Sequence, residues 1–285
     1  MKTNFRKLII LPLLFLLFGC EKNRQSNHDI DYTFGVFIGM DKESKDLQKL
    51  CLYQNVAIDI EEFDDSDIKT LKEHNVNIFS YLSVGSLEDY RSYYSDFEKY
   101  TFMDYDNWEH ERWIDVSQPA WQKHLIETAQ SFQKQSADGL FLDNYDVYYI
   151  VKEEYKCDEY FKEGIYQGLK YLLNEFDKLG LSLMVNSGTT FLERLTSEKC
   201  GCINYIDWYA QETVFSSIVD YGNNIFGVQD EEERSYYLEM IDLMKNYSKI
   251  LMIEYTTDVE LINEIGMYAK RNNVSYFISE SVNLE

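Results

Sequence analysis

Histidine is scarce in this chain and cysteine little commoner, and neither forms a metal-binding pattern. The four histidines, His28, His74, His110 and His124, show no ligand spacing. Among the five cysteines, Cys200-Gly201-Cys202 makes a poor zinc signature, so no metal and no cofactor is expected. An oxidising exterior would permit a disulfide among Cys51, Cys157, Cys200 and Cys202, with a connectivity the sequence does not give. Basic side chains are few as well: 27 Lys and Arg face 50 Asp and Glu, a formal charge of −23. That balance disfavours nucleic acid and anionic membrane faces as ligands and favours a cationic one, while also keeping a surface protein soluble. There is no internal repeat and no low-complexity tract. Only one long apolar run occurs, Leu8 to Phe18, shorter than the roughly 20 residues that cross a bilayer.

That run has a specific setting. Lys2, Arg6 and Lys7 precede it and Leu17-Phe18-Gly19-Cys20 closes it, the order of a secretory signal peptide whose end resembles a bacterial lipobox. The expectation is a leader over 1–19, a lipidated Cys20 as mature N-terminus, and a polar tether over 20–31 that lifts the domain from the membrane. Membrane contact would then be through the lipid anchor only. Residues 32–285 remain, about 250, the usual size of one (β/α)8 barrel.

Eight short apolar runs follow: FGVFI, NVAIDI, NIFSYLSV, GLFLD, LSLMV, YIDWYA, ILMIEY and YFIS. Helical or polar stretches separate them, the α/β alternation that at this length predicts a closed (β/α)8 barrel. Tyr160, Ile165, Leu169, Leu172, Leu173 and Phe176 recur at helical spacing before Gly180. A second helix opens at Pro119 and buries Trp121, Leu125, Ala129 and Phe132; a third follows Asp258 with Leu261, Ile262, Ile265 and Tyr268 inward. The longest interruption, Gly85 to Val116, is rich in Tyr, Asp and Trp and suits a lid or subsite loop.

In such a barrel the chemistry gathers where the strands end. The most telling stretch is DGLFLDNYD, Asp138 to Asp146: a buried strand with Asp143, Asn144 and Asp146 crowded on its carboxyl end, more acid than a turn needs. A plain Asx-rich turn is the alternative. Other strand ends carry Asp59, then Tyr81 with Gly85 and Glu88, then Asn186, then Asp207, Trp208, Tyr209 and Glu212, then Glu254-Tyr255. Any one of these serves as well as a cap, turn or core residue. Together they make a rim of acids and aromatics without a cationic or histidine cluster, which suits carbohydrate chemistry better than phosphate or acyl transfer.

At these positions the chain resembles glycoside hydrolase family 114, the endo-α-1,4-polygalactosaminidase-like TIM barrels. The matching elements are Tyr81-Leu82-Ser83-Val84-Gly85-Ser86-Leu87-Glu88-Asp89-Tyr90-Arg91, Trp113-Ile114-Asp115-Val116 and Asp138-Gly139-Leu140-Phe141-Leu142-Asp143-Asn144. Asn186, Gln211-Glu212 and Glu254-Tyr255 follow in order, with Asn186-Ser187-Gly188 standing where the family often has Asn-Gly directly. The resemblance implies an extracellular polysaccharide hydrolase with Asp143 and Glu212 as catalytic pair, Asp143 the nucleophile and Glu212 the acid/base of a retaining reaction. Retention needs carboxyl groups about 5–5.5 Å apart, inversion about 6.5–9.5 Å. The implied substrate, α-1,4-linked galactosamine polymer, is cationic where its amines are free, which fits a rim of Asp59, Glu88, Asp146 and Glu254. Tyr81, Asn144, Asn186 and Tyr255 complete the expected substrate contacts, and Trp113, Trp208 and Tyr209 are further rings for stacking or for the core. Two other readings remain: a surface glycan-binding lipoprotein without turnover, and a hydrolase of a different α-linked glycan.

Overall fold

The computed structural model describes residues 31–106 and 108–285. The leader 1–19 and Cys20, with its expected lipid, lie outside the described residues. So does the tether up to residue 30. Asp31, the last residue assigned to that tether, already belongs to the domain: its Oδ1 accepts from Thr33 N at 2.9 Å and its Oδ2 from Tyr276 N at 3.1 Å. Among the described residues no helix is long and apolar enough to cross a membrane.

Among the described residues thirteen strands occur in chain order. They are β1 Phe34–Phe37, β2 Asn55–Ile58, β3 Asn77–Ser83, β4 Ser86–Glu88, β5 Thr101–Asp104, β6 Glu111–Ile114, β7 Gly139–Asp143, β8 Ser182–Asn186, β9 Trp208–Glu212, β10 Ser216–Asp220, β11 Ile225–Val228, β12 Lys249–Tyr255 and β13 Ser275–Ser279. Eight of them, the eight apolar runs of the sequence, form one parallel sheet in the order β1-β2-β3-β7-β8-β9-β12-β13, and β1 comes back beside β13. This is the expected (β/α)8 architecture. The strands read as near-continuous apolar runs because both of their faces are covered, one by the barrel interior and one by helices.

The helices have the signals their sequences carry. Pro119 opens Pro119–Lys134, and Trp121, Leu125, Ala129 and Phe132 are its buried stripe. Asp158 and Asp258 cap Glu159–Asp177 and Val259–Asn272 by accepting first-turn amides. Tyr160 departs from expectation: the second residue of its helix, it is exposed.

Five strands stand outside the barrel. The stretch Gly85 to Val116 folds into a small antiparallel sheet, β4-β6-β5, and β10 and β11 form a hairpin directly after β9. Gly85 is required where the first excursion leaves β3, since a Cβ there would lie 1.9 Å from the carbonyl oxygen of Asn144.

The two ends of the barrel use aspartate differently. At the amino ends Asp138 Oδ2 accepts from Ile78 N at 2.7 Å, and Asp207 Oδ2 accepts from Leu183 N and Ser182 Oγ, both at 2.9 Å. Asp207 therefore pins neighbouring strands and takes no part in the mouth where the sequence grouped it. A carboxylate there satisfies backbone amides that the parallel ladder leaves open.

Candidate active site

The carboxyl ends of β7, β8 and β9 repeat one local device. Asp143, Asn186 and Glu212 are the last residues of their strands, and each is followed by a residue with positive φ: Asn144 at 63°, Ser187 at 54° and Thr213 at 54°. Left-handed backbone is costly for non-glycine residues, most of all for a β-branched threonine. Three such residues in adjacent loops turn the chain sharply away so that three polar side chains are left at the mouth. The Asn186-Ser187-Gly188 departure from the family pattern places two left-handed residues in succession, Gly188 having φ 69°.

These side chains meet. Asn186 Nδ2 donates to Asp143 Oδ1 at 3.0 Å and to Glu212 Oε1 at 2.6 Å. Two hydrogen bonds meeting at one nitrogen place those oxygens at most about 5.6 Å apart. Tyr255 Oη donates to Glu212 Oε2 at 2.6 Å, and Asn144 N donates to Asp143 Oδ1 at 2.9 Å. Burial, reinforced by the negative charge of Glu212, pushes the Asp143 carboxyl up to about 8. The oxygen of the same amide, Asn186 Oδ1, is buried and finds no donor among the described residues, an acceptor held beside the pair.

The pair lies in a cleft of about 790 Å³ whose lining includes Tyr81, Glu88, Tyr90, Arg91, Glu111, Asp146, Gln211 and Tyr255. Asp146 Oδ1 accepts from Gly188 N at 3.2 Å, and burial raises its carboxyl to about 6. Asn144 is spent on scaffolding: its Nδ2 donates to Ser83 Oγ at 3.0 Å, Ser86 Oγ at 2.8 Å and Glu111 Oε1 at 3.0 Å, which fastens the first excursion to β7. Trp113 and Trp208 are buried, Trp113 beneath the ring of Tyr105 at 4.3 Å, as core residues would be.

Three of the four acids expected to form a cation-binding rim are engaged elsewhere. Arg91 Nη1 bonds Asp59 at 2.7 Å and Glu61 at 3.2 Å, and its Nε bonds Glu88. Glu88 Oε1 also accepts from Tyr81 Oη at 3.0 Å. Burial pulls the guanidinium pKa down, but Glu88 and Asp59 outweigh it and hold it above its usual value. Asp59 does not line the cleft. Glu254 is fully buried behind the mouth, accepting from Phe215 N at 3.1 Å and from Ser216 N at 2.9 Å and Ser216 Oγ at 2.7 Å, where it anchors the start of β10. Burial raises it to about 7. Of the four, only Asp146 keeps its charge in the cleft without a cationic partner.

Glu111 takes their place, and the sequence reading missed it. It lies on β6 directly opposite Glu88, lines the cleft, and accepts from Ser86 Oγ and Asn144 Nδ2. Burial pushes it up to about 7, with Glu88 adding repulsion. A signal existed: Glu111 is two residues before Trp113, so a strand through Trp113 points both to one face. Among the described residues no group of His, Cys, Asp and Glu is arranged to hold a metal ion. Cys200 and Cys202 are joined to each other, while Cys51 and Cys157 are free.

Comparison with known proteins bears on the fold and the family. None of the curated protein sequences matches the chain. Among solved structures it is similar to the glycoside hydrolase domain of PelA from Pseudomonas aeruginosa, with a TM-score of 0.73, 21% identity, and 89% of this chain and 96% of that one covered. It is also similar to Aspergillus fumigatus Ega3, solved in complex with galactosamine, with a TM-score of 0.63, 16% identity, and coverage of 90% and 92%. At those identities the likeness concerns the fold. The family model of glycoside-hydrolase family GH114 matches residues 23–282, nearly the whole chain, and with it the protein belongs to GH114 and is a glycoside hydrolase.

Proposed function

We propose that the protein is an endo-acting hydrolase of an α-1,4-linked galactosamine-containing exopolysaccharide, held at the cell surface by a lipid on Cys20. The observation that carries the chemistry is the pair of carboxylates bridged by one amide nitrogen. In the retaining reaction Asp143 attacks the anomeric carbon while Glu212 gives its proton to the departing glycosidic oxygen. The C–O bond to the leaving chain breaks as the bond to Asp143 forms. Glu212, now ionised, takes a proton from water, whose oxygen displaces Asp143 and restores the starting configuration. Between them the two groups need one proton and one negative charge. A carboxyl raised to about 8 supplies that resting state at neutral pH, and the proton is a property of the coupled pair. It must reside on Glu212 when Asp143 attacks, and Asn186, bonded to both, keeps the two groups in register during that exchange.

The substrate class rests on charge. Asp143, Asp146, Glu111 and Glu212 line the cleft with no cationic partner, so an ammonium-bearing sugar gains attraction there that a neutral one does not. Ega3 binds galactosamine in its own structure, which supports the same assignment by family likeness. The test is reducing-end release from partially deacetylated α-1,4-galactosamine polymer, with anomeric configuration followed by NMR and the labelled residue located by mass spectrometry after a fluorinated glycosyl donor traps the intermediate. Retention with label on Asp143 supports the assignment; inversion, or label on Glu212, overturns the roles given above. The anchor is tested separately. The mass of the N-terminal peptide should show a diacylglyceryl-modified Cys20, and Cys20→Ser should move the protein from the detergent phase to the aqueous one.

A further inference from the structure

Two excursions from the barrel touch across the cleft. Trp108 sits in the turn between β5 and β6, and Tyr221 in the turn between β10 and β11; their rings meet edge to face with centroids 5.9 Å apart. Both line the catalytic cleft. One excursion leaves the third barrel strand and the other the sixth, so in a ring of eight their contact spans the mouth. Each arm also contacts a neighbour of the catalytic pair. Glu111, at the base of the Trp108 turn, is bonded to Asn144, and Phe226 of the hairpin packs 6.0 Å from Tyr255, which donates to Glu212. The hairpin is braced by Asn223 N on Asp220 Oδ1 at 3.1 Å and by Val282 N on Asn224 Oδ1 at 2.8 Å. Barrel folding requires none of this. Trp108 is 38% exposed, whereas Trp113, Trp121 and Trp208 are 4%, 1% and 7% exposed. A large ring left in water at a cleft mouth is available to a ligand face.

We propose that Trp108 and Tyr221 form an aromatic clamp that holds the polysaccharide chain over the catalytic pair, so that the enzyme makes several cuts in one chain before releasing it. The clamp rests on the hydrolase reading given above, and it adds a consequence which that reading lacks: an open groove would release the chain after each cut, whereas a bridged one retains it. Sugar faces stack on the ring of Trp108, and Tyr221 closes the span from the other side.

Two measurements test the clamp. The first needs no turnover. The protein carrying both Asp143→Asn and Glu212→Gln is titrated with partially deacetylated α-1,4-galactosamine polymer, and acrylamide quenching of tryptophan emission is followed. The exposed component, absent in a Trp108→Phe derivative, should become about 3- to 10-fold less quenchable on saturation. If it stays equally accessible while the polymer is bound, the clamp is wrong. The second compares active wild type with Trp108→Ala and Tyr221→Ala, each checked for native circular dichroism. Early in the reaction, the ratio of soluble to polymer-bound new reducing ends should fall about threefold or more in both variants. KM should rise further for long polymer than for oligosaccharides too short to reach the bridge. An unchanged ratio in both variants overturns the clamp. Should the wild type release no reducing ends at all, the hydrolase reading fails, and the quenching experiment still decides whether Trp108 meets the chain.

Discussion

Two clusters of acids stand at the mouth of this barrel, and they differ in one side chain. On the side of β2 and β4, Asp59, Glu61 and Glu88 converge on Arg91, whose guanidinium meets all three. On the side of β7 to β9, Asp143 and Glu212 share only the uncharged amide of Asn186, with Glu111 and Asp146 beside them. The first arrangement spends its charge on structure. The second keeps it, and burial without an ion-pair partner pushes Asp143, Glu111 and Asp146 upward to about 8, 7 and 6. Carboxylates at one mouth thus become scaffold or reagent according to whether a cation accompanies them.

Removing the reagent should have the largest effect. Asp143→Asn and Glu212→Gln should each lower kcat by at least about 10³-fold on galactosamine polymer, and the double variant little further, because the two act as one unit. Stability should move the opposite way. The folded-state pKa of Asp143 lies above its ordinary 3.8, so the native state binds more protons than the unfolded chain between about pH 4 and 8, and stability falls as pH rises through that window. Asp143→Asn removes this slope, and its thermal midpoint should exceed the wild type's by a few degrees near pH 8. A lower midpoint would place Asp143 with the scaffold.

Removing the cation should do the reverse. Arg91→Met leaves Asp59 and Glu88 buried without their partner, which costs about 3–5 kcal/mol in comparable cases. Denaturant unfolding should show that loss, and lowering the pH should recover part of it as the orphaned carboxylates take up protons. A variant as stable as the wild type would show that the Arg91 cluster is already solvated.

How much of this contrast could be read in the sequence follows from the range over which each feature acts. Asp143 and Asn186 were legible because each is the polar residue that ends an apolar strand, a pattern carried by five or six consecutive letters, whereas Glu212 falls two residues past the apolar run Tyr205 to Ala210 and stood out through the resemblance to the family. The role of Arg91 was not, because Asp59 lies 32 positions away and only folding brings them together. Glu254 was misplaced although the rule that locates it was available. Successive strand residues point to opposite faces, so with Tyr255 turned to Glu212 its neighbour must turn away. Glu111 was hidden in an excursion of short, half-buried antiparallel strands, whose pattern carries less hydrophobic signal than the barrel's.

The remaining predictions sharpen the comparison through the charge itself. Catalysis by the pair needs its shared proton, and Asp143 at about 8 means that proton departs as pH rises past 8. Accordingly kcat/KM should be flat toward neutrality and fall about tenfold per pH unit well above 8. A limb that begins near pH 5 would mean the pair rests doubly ionised.

The smallest effect separates the two clusters most directly. Glu111→Gln removes one uncompensated charge from the cleft and retains a side chain that can still bond Asn144 and Ser86, so KM for amine-bearing polymer should rise about 2- to 5-fold at low salt. Screening over roughly 8–10 Å shrinks the contribution of that charge, and the difference from wild type should close as ionic strength rises toward physiological values and beyond. Glu61→Gln deletes an acid of the same formal charge, but one already paired with Arg91, and should leave the salt dependence of KM unchanged. Equal responses from the two variants would mean that the cleft senses the total charge of the protein; unequal ones, in the stated order, would mean that it senses which acids lack a cation.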